Sequence, residues 1–424
     1  MLPDPIPKHA VLLQGPNGPF FRRYARDLEA AGARVTKFNF HPGDALFFRG
    51  ESAISFRGSL AEWPDAFREY AVREEVDAVL LFGDCRPVHK AVREATEELS
   101  IAVWVFEEGY IRPDFITLER GGVNGNSSLP NRASYFREAA SCLPPLSPPQ
   151  SVGNTFWWSA FWTILNALAN TLFGWRYPHY KHHRDINAVR QGLLWIRGGY
   201  RKLAKGVRQR HLLPQFEGEW SGRYFLVPLQ VYCDSQVGHT TFGDVGDFIA
   251  EVTRTFAASA PSDSRLVFKH HPHDRPYRDY RKLIGKLATE HGLEDRLVYV
   301  HDLHLPTLLK NACGTIVMNS TVGLSSLFHK TPVKALGDAV YNIPELTFQG
   351  PLEQFFRNPG VVDEELYEAF SRTIRYTTQV NGTFNKRLAG TGTASGLARR
   401  EHDERVVLPS TRARPATQSE ASRG

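Results

Sequence analysis

Arg265-Leu-Val-Phe-Lys-His-His-Pro-His-Asp274 is an apolar run that ends abruptly in imidazoles, a lysine, a carboxylate and a proline. Leu266 to Phe268 suit a strand covered on both faces, and Pro272 stops either a strand or a helix from simply continuing. The residues beyond it therefore belong at a strand's carboxyl end, where open α/β sheets place their ligands. Lys269 and the three histidines can meet an anion such as a phosphate there, by charge and by N–H donation. Read alone, the stretch is equally a polar loop after a core strand.

Strand and helix alternate on both sides of it. Residues 224–231, 266–268, 297–300, 315–318 and 332–335 read as strands, and 242–258, 279–291, 305–311 and 325–329 as helices. Upstream, a short strand opening at residue 10 breaks into a Gly/Pro loop, followed by a helix over 22–31 and a strand over 34–38. Gly15 and Gly18 in that loop do not make GxGxxG, so a dinucleotide fold is only weakly suggested. Residues 76–82 and 101–106 read as further core strands around a helix over 88–99. The fold class is therefore α/β, GT-B-like: two Rossmann-like lobes with a cleft between them and a helical insertion. The lobes are placed at residues 1–145 and 221–384, and the insertion at 146–220. The tail 385–424 is expected to be disordered, having too little apolar content to fold alone.

The insertion has the most unusual composition. No residue from Ala139 to Trp175 is charged, and Phe156 to Phe173 is rich in aromatics, with Asn166 and Asn170 diluting it too far for a membrane span. Arg176 to Arg210 then carries ten Lys/Arg against one acid, Asp185. This pair of segments suits a monotopic surface on an anionic leaflet, or a helical insertion packed between domains with a solvated basic face. The whole chain of 424 residues has net charge +6, with 27 Phe, 15 Tyr and 8 Trp. That balance points to anionic partners, and no motif for nucleic-acid binding accompanies it. Cys85, Cys142, Cys233 and Cys313 lie far apart, which argues for a reducing compartment and against a zinc site. The first residues lack the pattern of a signal peptide, and a cytoplasmic location is expected.

Several loops follow core strands and would face the cleft. They are the loop from Gln14 to Gly18, Glu107-Glu-Gly-Tyr-Ile-Arg-Pro113, Gln230-Val-Tyr-Cys-Asp-Ser235, Lys269 to Asp274, and Asn319-Ser-Thr-Val-Gly323. Hydroxyls and free N–H groups where a strand turns into a helix, as at Asn319 to Gly323, make a phosphate site or a plain helix cap.

Four of them, Glu107 to Pro113, Gln230 to Ser235, Lys269-His-His-Pro272 and Asn319 to Gly323, in this order and spacing, resemble the capsule polysaccharide biosynthesis family of KpsS/LipB type, related to the KpsC type, over about residues 8–380. The resemblance implies a GT-B transferase that moves Kdo from CMP-β-Kdo to a (lyso)phosphatidylglycerol anchor, starting a capsular linker. It implies that His271 with Pro272, together with Ser320 and Thr321, holds the CMP phosphate, in a donor site that also includes Lys269, Asn319, Gly323 and Gln230. These donors can stabilise a single departing phosphate without a metal, so no metal or other cofactor is expected. A β-linked donor giving a β-linked product means retention, and double displacement needs a carboxylate nucleophile. The family's Gln-x-x-x-Asp element matches Asp234 as that nucleophile, with Glu108 as base toward the acceptor, or the roles exchanged. Arg112 would pair with the Kdo carboxylate or orient Glu108. Gln14, Asn17, Asp84 and Arg86 would line the acceptor side. Expected partners are CMP-Kdo, an anionic phospholipid, the inner face of the inner membrane and other capsule synthesis or export proteins. The competing readings are a non-enzymatic carrier that hands glycolipid to a transporter, and another CMP-sugar enzyme on the same scaffold.

Overall fold

The computed structural model describes residues 2–181, 188–232, 242–399 and 406–409. Its strands are β1 (His9–Leu12), β2 (Arg34–Asn39), β3 (Ala53–Ser55), β4 (Ala78–Phe82), β5 (Ala102–Glu108), β6 (Phe115–Arg120), β7 (Tyr224–Pro228), β8 (Arg265–Lys269), β9 (Leu297–Val300), β10 (Gly314–Val317), β11 (Val333–Ala335) and β12 (Gln379–Asn381). They form a sheet ordered β12-β6-β5-β4-β1-β2-β3 and a second ordered β11-β10-β7-β8-β9. The second is parallel throughout, and in the first β5 to β3 are parallel while β6 runs antiparallel to both β5 and β12. The two α/β lobes expected from the sequence are thus present.

Both lobes are built on strands covered on two faces. In β1, Ala10 and Leu12 pack with Phe20, Tyr24 and Leu28 of the helix Phe20–Ala30, while Val11 packs with Trp63 and Phe67 of the helix Trp63–Arg73. In β8, Leu266 and Phe268 meet the helix Val245–Ser259 on one side and Val267 meets Phe216 and Leu308 on the other. A strand sandwiched this way must be apolar at consecutive positions, which is why these runs are legible in the sequence.

Three expectations need correction. The stretch 88–99 is two short helices, Pro87–Lys90 and Arg93–Glu98. The helix Ala133–Cys142, assigned by sequence to the first lobe, packs on the second: Phe136 lies 5.0 Å from Phe370 of the helix Glu364–Thr377, in one core with Leu324, Leu327 and Tyr341. These two helices carry the chain across between the lobes, and β12 then returns to pair with β6. Finally, residues 385–399 are packed, not disordered. The Asp27 carboxylate accepts the amides of Ala394 (2.6 Å) and Ser395 (2.9 Å), and Leu397 is fully buried beside Phe20 and Phe384. Backbone pairing to a buried acid, which composition does not register, holds this segment.

The insertion is tied to both lobes. Its helix Phe156–Phe173 is anchored to the first, where the Asn170 Oδ1 accepts the Gly43 amide (3.3 Å) and Trp162 Nε1 donates to the Asn385 carbonyl (2.8 Å). Its helix Ala188–Gln209 is anchored to the second, where Gln209 donates to the Tyr299 carbonyl and accepts the His301 amide, both at 2.9 Å.

Candidate active site

The motif loops meet through one chain of buried polar contacts. At the end of β7, Gln230 Nε2 donates to Oδ1 of Asn319, at the end of β10 (2.9 Å). The Asn319 carbonyl accepts Asn124 Nδ2 (3.1 Å), and the Asn124 amide donates to the Tyr110 hydroxyl (2.6 Å). Tyr110 lies in the Glu107-Glu-Gly-Tyr-Ile-Arg loop, and its own amide donates to Gln379 of β12 (2.9 Å). Burial and the Glu119 carboxylate push the Tyr110 hydroxyl's pKa up, so it stays protonated. Asn124 and Tyr110 therefore join the two lobes, and the sequence reading missed both. The usable signal was Asn124-Gly125, a turn pair whose Asn adopts φ 53°.

The imidazole cluster at the end of β8 is sorted by burial. His270 is buried, with Nδ1 2.7 Å from the Tyr299 hydroxyl. His271 Nδ1 accepts the His273 amide (3.1 Å), so the neutral ring carries its proton on Nε2 as a donor. Burial, then His273, Lys269, His270 and Arg112, push the His271 pKa down to about 3. Arg112 belongs to the other lobe, so its charge reaches across the cleft to this ring. Asp274, fully buried, accepts the Tyr232 amide (3.0 Å) and ties the turn after Pro272 to the Gln230 loop. Lys269 is less open than expected: it is buried, donates to the His301 carbonyl (3.2 Å), and burial lowers its pKa to about 8. Its charge reaches the site, while its N–H groups hold the strand end.

At the end of β10, the Ser320 hydroxyl accepts the Val322 amide (3.2 Å), and Thr321 caps the helix Val322–Phe328 without a side-chain bond. Both side chains are partly exposed. Gly323 has a packing reason: a Cβ there would lie 2.4 Å from the Tyr341 ring, whose hydroxyl donates to the Ser320 carbonyl (2.5 Å).

On the first lobe, Gly109 turns the chain from β5 into β6, with the Phe115 carbonyl only 2.1 Å from where a Cβ would stand. Glu108 is exposed at the end of β5, while Glu107 turns toward the Gly83 loop and accepts the Glu108 amide (3.0 Å). Among the described residues Glu108 and Arg112 form no ion pair; Arg112 Nε donates to the Gly109 carbonyl (3.1 Å) and the side chain is exposed. Asp84 is a brace for the 122–126 loop, accepting Asn126 Nδ2 (2.8 Å) and the Val123 amide (3.2 Å). Arg86 donates to the Gly15 carbonyl (3.1 Å), Gln14 is buried and donates to the Tyr180 hydroxyl (2.6 Å), and Asn17 is exposed. Asp234 lies outside the described residues.

Residues 77–385 match the family described as Capsule polysaccharide biosynthesis protein. The chain belongs to that family. It is 39% identical to the Capsule polysaccharide export protein KpsS of Escherichia coli, over 89% of this chain and 97% of that one. It is 38% identical to the Capsule polysaccharide modification protein LipB of Neisseria meningitidis serogroup A, over 89% and 91%. Among solved structures, Thermosulfurimonas dismutans KpsC, a beta Kdo 2,7 transferase, aligns over 86% of this chain and 99% of its own, at 12% identity and a TM-score of 0.35.

In this capsule biosynthesis protein the insertion turns its apolar side outward. Asn166, Ala169 and Asn170 are the buried residues of their helix, while Trp157 is 76% exposed. On the helix Ala188–Gln209, Val189, Leu193, Ile196, Tyr200, Leu203 and Val207 form an exposed stripe at helical spacing, among Arg and Lys. Among the described residues no helix is long and apolar enough to cross a membrane.

Proposed function

We propose that this capsule biosynthesis protein is a retaining β-Kdo glycosyltransferase that moves Kdo from CMP-β-Kdo to a (lyso)phosphatidylglycerol acceptor, beginning the linker of a capsular polysaccharide. The observation that carries the reading is His271. A neutral imidazole with its proton on Nε2, at the same end of the parallel sheet as the Ser320 and Thr321 hydroxyls and within reach of the Arg112 charge, suits a phosphate that gains charge as it departs. The choice of Kdo follows the family resemblance.

In this reading a carboxylate, Asp234, attacks the anomeric carbon as its bond to the CMP phosphate breaks, and CMP leaves with the charge held by His271, Ser320 and Thr321. Glu108 then takes the proton of the acceptor hydroxyl, which attacks the same carbon and releases Asp234. Arg112 neutralises the Kdo carboxylate. No metal is required, because a single phosphate is stabilised by N–H and O–H donors and nearby cations. The exposed apolar stripe flanked by Arg and Lys supports peripheral attachment to an anionic membrane.

The test is product formation. Purified protein with CMP-Kdo, lysophosphatidylglycerol and EDTA should yield Kdo-lipid. A complete lack of product without EDTA as well would leave the glycolipid-carrier reading standing. Near-native turnover by Asp234→Ala would sink the nucleophile assignment alone.

A further inference from the structure

The first lobe holds a cavity of about 500 Å³ at the carboxyl ends of its strands. It lies where β1 runs into Gln14, β2 into Phe40 and β3 into Phe56 and Arg57. Its size is that of a site for a single small ligand. The walls are aromatic: Phe40, Phe56, Trp63 and Tyr177. The exposed side chains of Arg57, His179 and Lys181 line its open side. The neighbouring Glu62 carboxylate accepts the amide (2.7 Å) and hydroxyl (2.8 Å) of Ser59, contacts that hold its pKa down, with a smaller contribution from His179.

One wall of this cavity, Tyr177 to Lys181, comes from the insertion. The chain leaving the helix Phe156–Phe173 is pinned over the strand ends by the Tyr177 hydroxyl, 2.8 Å from Ser55 Oγ, and by Tyr180, which accepts from Gln14 and lies 5.1 Å from the His41 ring. The cavity's roof is therefore continuous in sequence with the helix that presents Trp157 and Phe173 to solvent and with the turn after it that presents Trp175. An aromatic interior, two cations with a further N–H-bearing ring at the mouth, and an adjoining apolar surface define an amphiphile with an anionic head.

We propose that this cavity binds one anionic glycerophospholipid, its phosphate met by Arg57, His179 and Lys181 and its apolar part by the aromatic walls. The proposal rests on the lipid-acceptor reading above and names the place where that acceptor is held. It separates the acceptor site, in the first lobe, from the donor site around His271 in the second.

Binding to the full-length protein is measured with three probes: lysophosphatidylglycerol below its micelle concentration, lysophosphatidylcholine of the same chain, and glycerol 3-phosphate. The anionic lysolipid is expected to bind at least about tenfold tighter than either of the others, since only it uses both walls and cations. Ala61 lines the cavity and is exposed, so Ala61→Trp fills it without entering the core. This variant should melt like wild type and bind the lysolipid about tenfold more weakly or worse. The double change Arg57→Ala with Lys181→Ala should erase the preference for the glycerol over the choline lipid. Wild-type lipid affinity in both variants would overturn the proposal, as would glycerol 3-phosphate binding as tightly as the lysolipid. Cavity-dependent lipid binding without any Kdo transfer would keep this site and sink the transferase reading.

Discussion

The two parallel sheets finish their carboxyl ends differently. The second sheet is completed by its own strand-end loops: Gln230 after β7, His271 after β8 and Asn319 with Ser320 after β10. The first sheet is completed from outside, by Tyr177 and Tyr180 of the insertion, so that Gln14 bonds a residue 166 positions away. A strand-end loop can fix a reacting phosphate because the strand fixes the loop. A roof supplied by an insertion instead encloses an aromatic-walled space, which suits the proposed lipid. In the proposed reading the second sheet holds the departing phosphate and the first holds the lipid, with Glu108 and Arg112 reaching in from the first, and the following experiments can break or sharpen that division.

The largest effect falls on the second sheet. His271→Ala should lower kcat by about 10²- to 10³-fold, the usual cost of losing a donor to a developing anion. In wild type the rate should show no titration from this ring between about pH 5 and 8, because its pKa is held down near 3. An inflection near pH 6.5 that vanishes in the variant would show a normally titrating histidine and break the assignment. On the first sheet, Arg57→Ala should raise the acceptor KM about tenfold and leave kcat alone. A change in kcat there would dissolve the division.

Acid unfolding should strike both lobes. His89 in the first lobe has its pKa lowered to about 3 by burial, then by Arg86. In the second, burial and then Lys205 lower His270 to about 4 and His301 to about 3. The unfolded chain binds these protons near the ordinary pKa of about 6.5, so the stability from burying neutral rings is full above that value. It should fall as pH drops toward 4, by roughly 1 kcal/mol per histidine per pH unit. Melting temperatures that rise on acidification from pH 7 to 5 would contradict this.

Smaller changes probe single contacts. Gly323→Ala forces Tyr341 aside and should cost about 1–3 kcal/mol in denaturant unfolding, as overpacking does. Trp157→Glu should change stability by less than about 0.5 kcal/mol, being exposed, yet abolish flotation with anionic vesicles. Retained flotation would remove the insertion from the membrane face.

The lobes were legible wherever a strand is buried on both faces, as β1, β4 and β8 are, because consecutive apolar residues leave few other readings. β6 and β12 were not, since both depend on pairings set by distant segments: Thr117 of β6 sits opposite Gln379. The placing of Gln230, His271 and Ser320 at one end of the second sheet was legible because each follows a strand. Asn124 and Tyr110 were not, because their role exists only once the lobes meet. Asn166 and Asn170 gave a mixed lesson. They dilute the helix's apolar character, and they lie on the face turned to the protein, which leaves the aromatics outside.

The return of the chain through β12 and the Asp27 contact has a consequence for synthesis on the ribosome. The sequence begins the first lobe at β1, yet β6 keeps a bare edge and the helix Phe20–Ala30 an uncovered flank until residues 379–397 have emerged. The first lobe thus cannot close until a segment that follows the whole second lobe has emerged. A nascent chain stalled before Gln379 carries an open strand edge, the kind of surface on which chains aggregate or recruit chaperones.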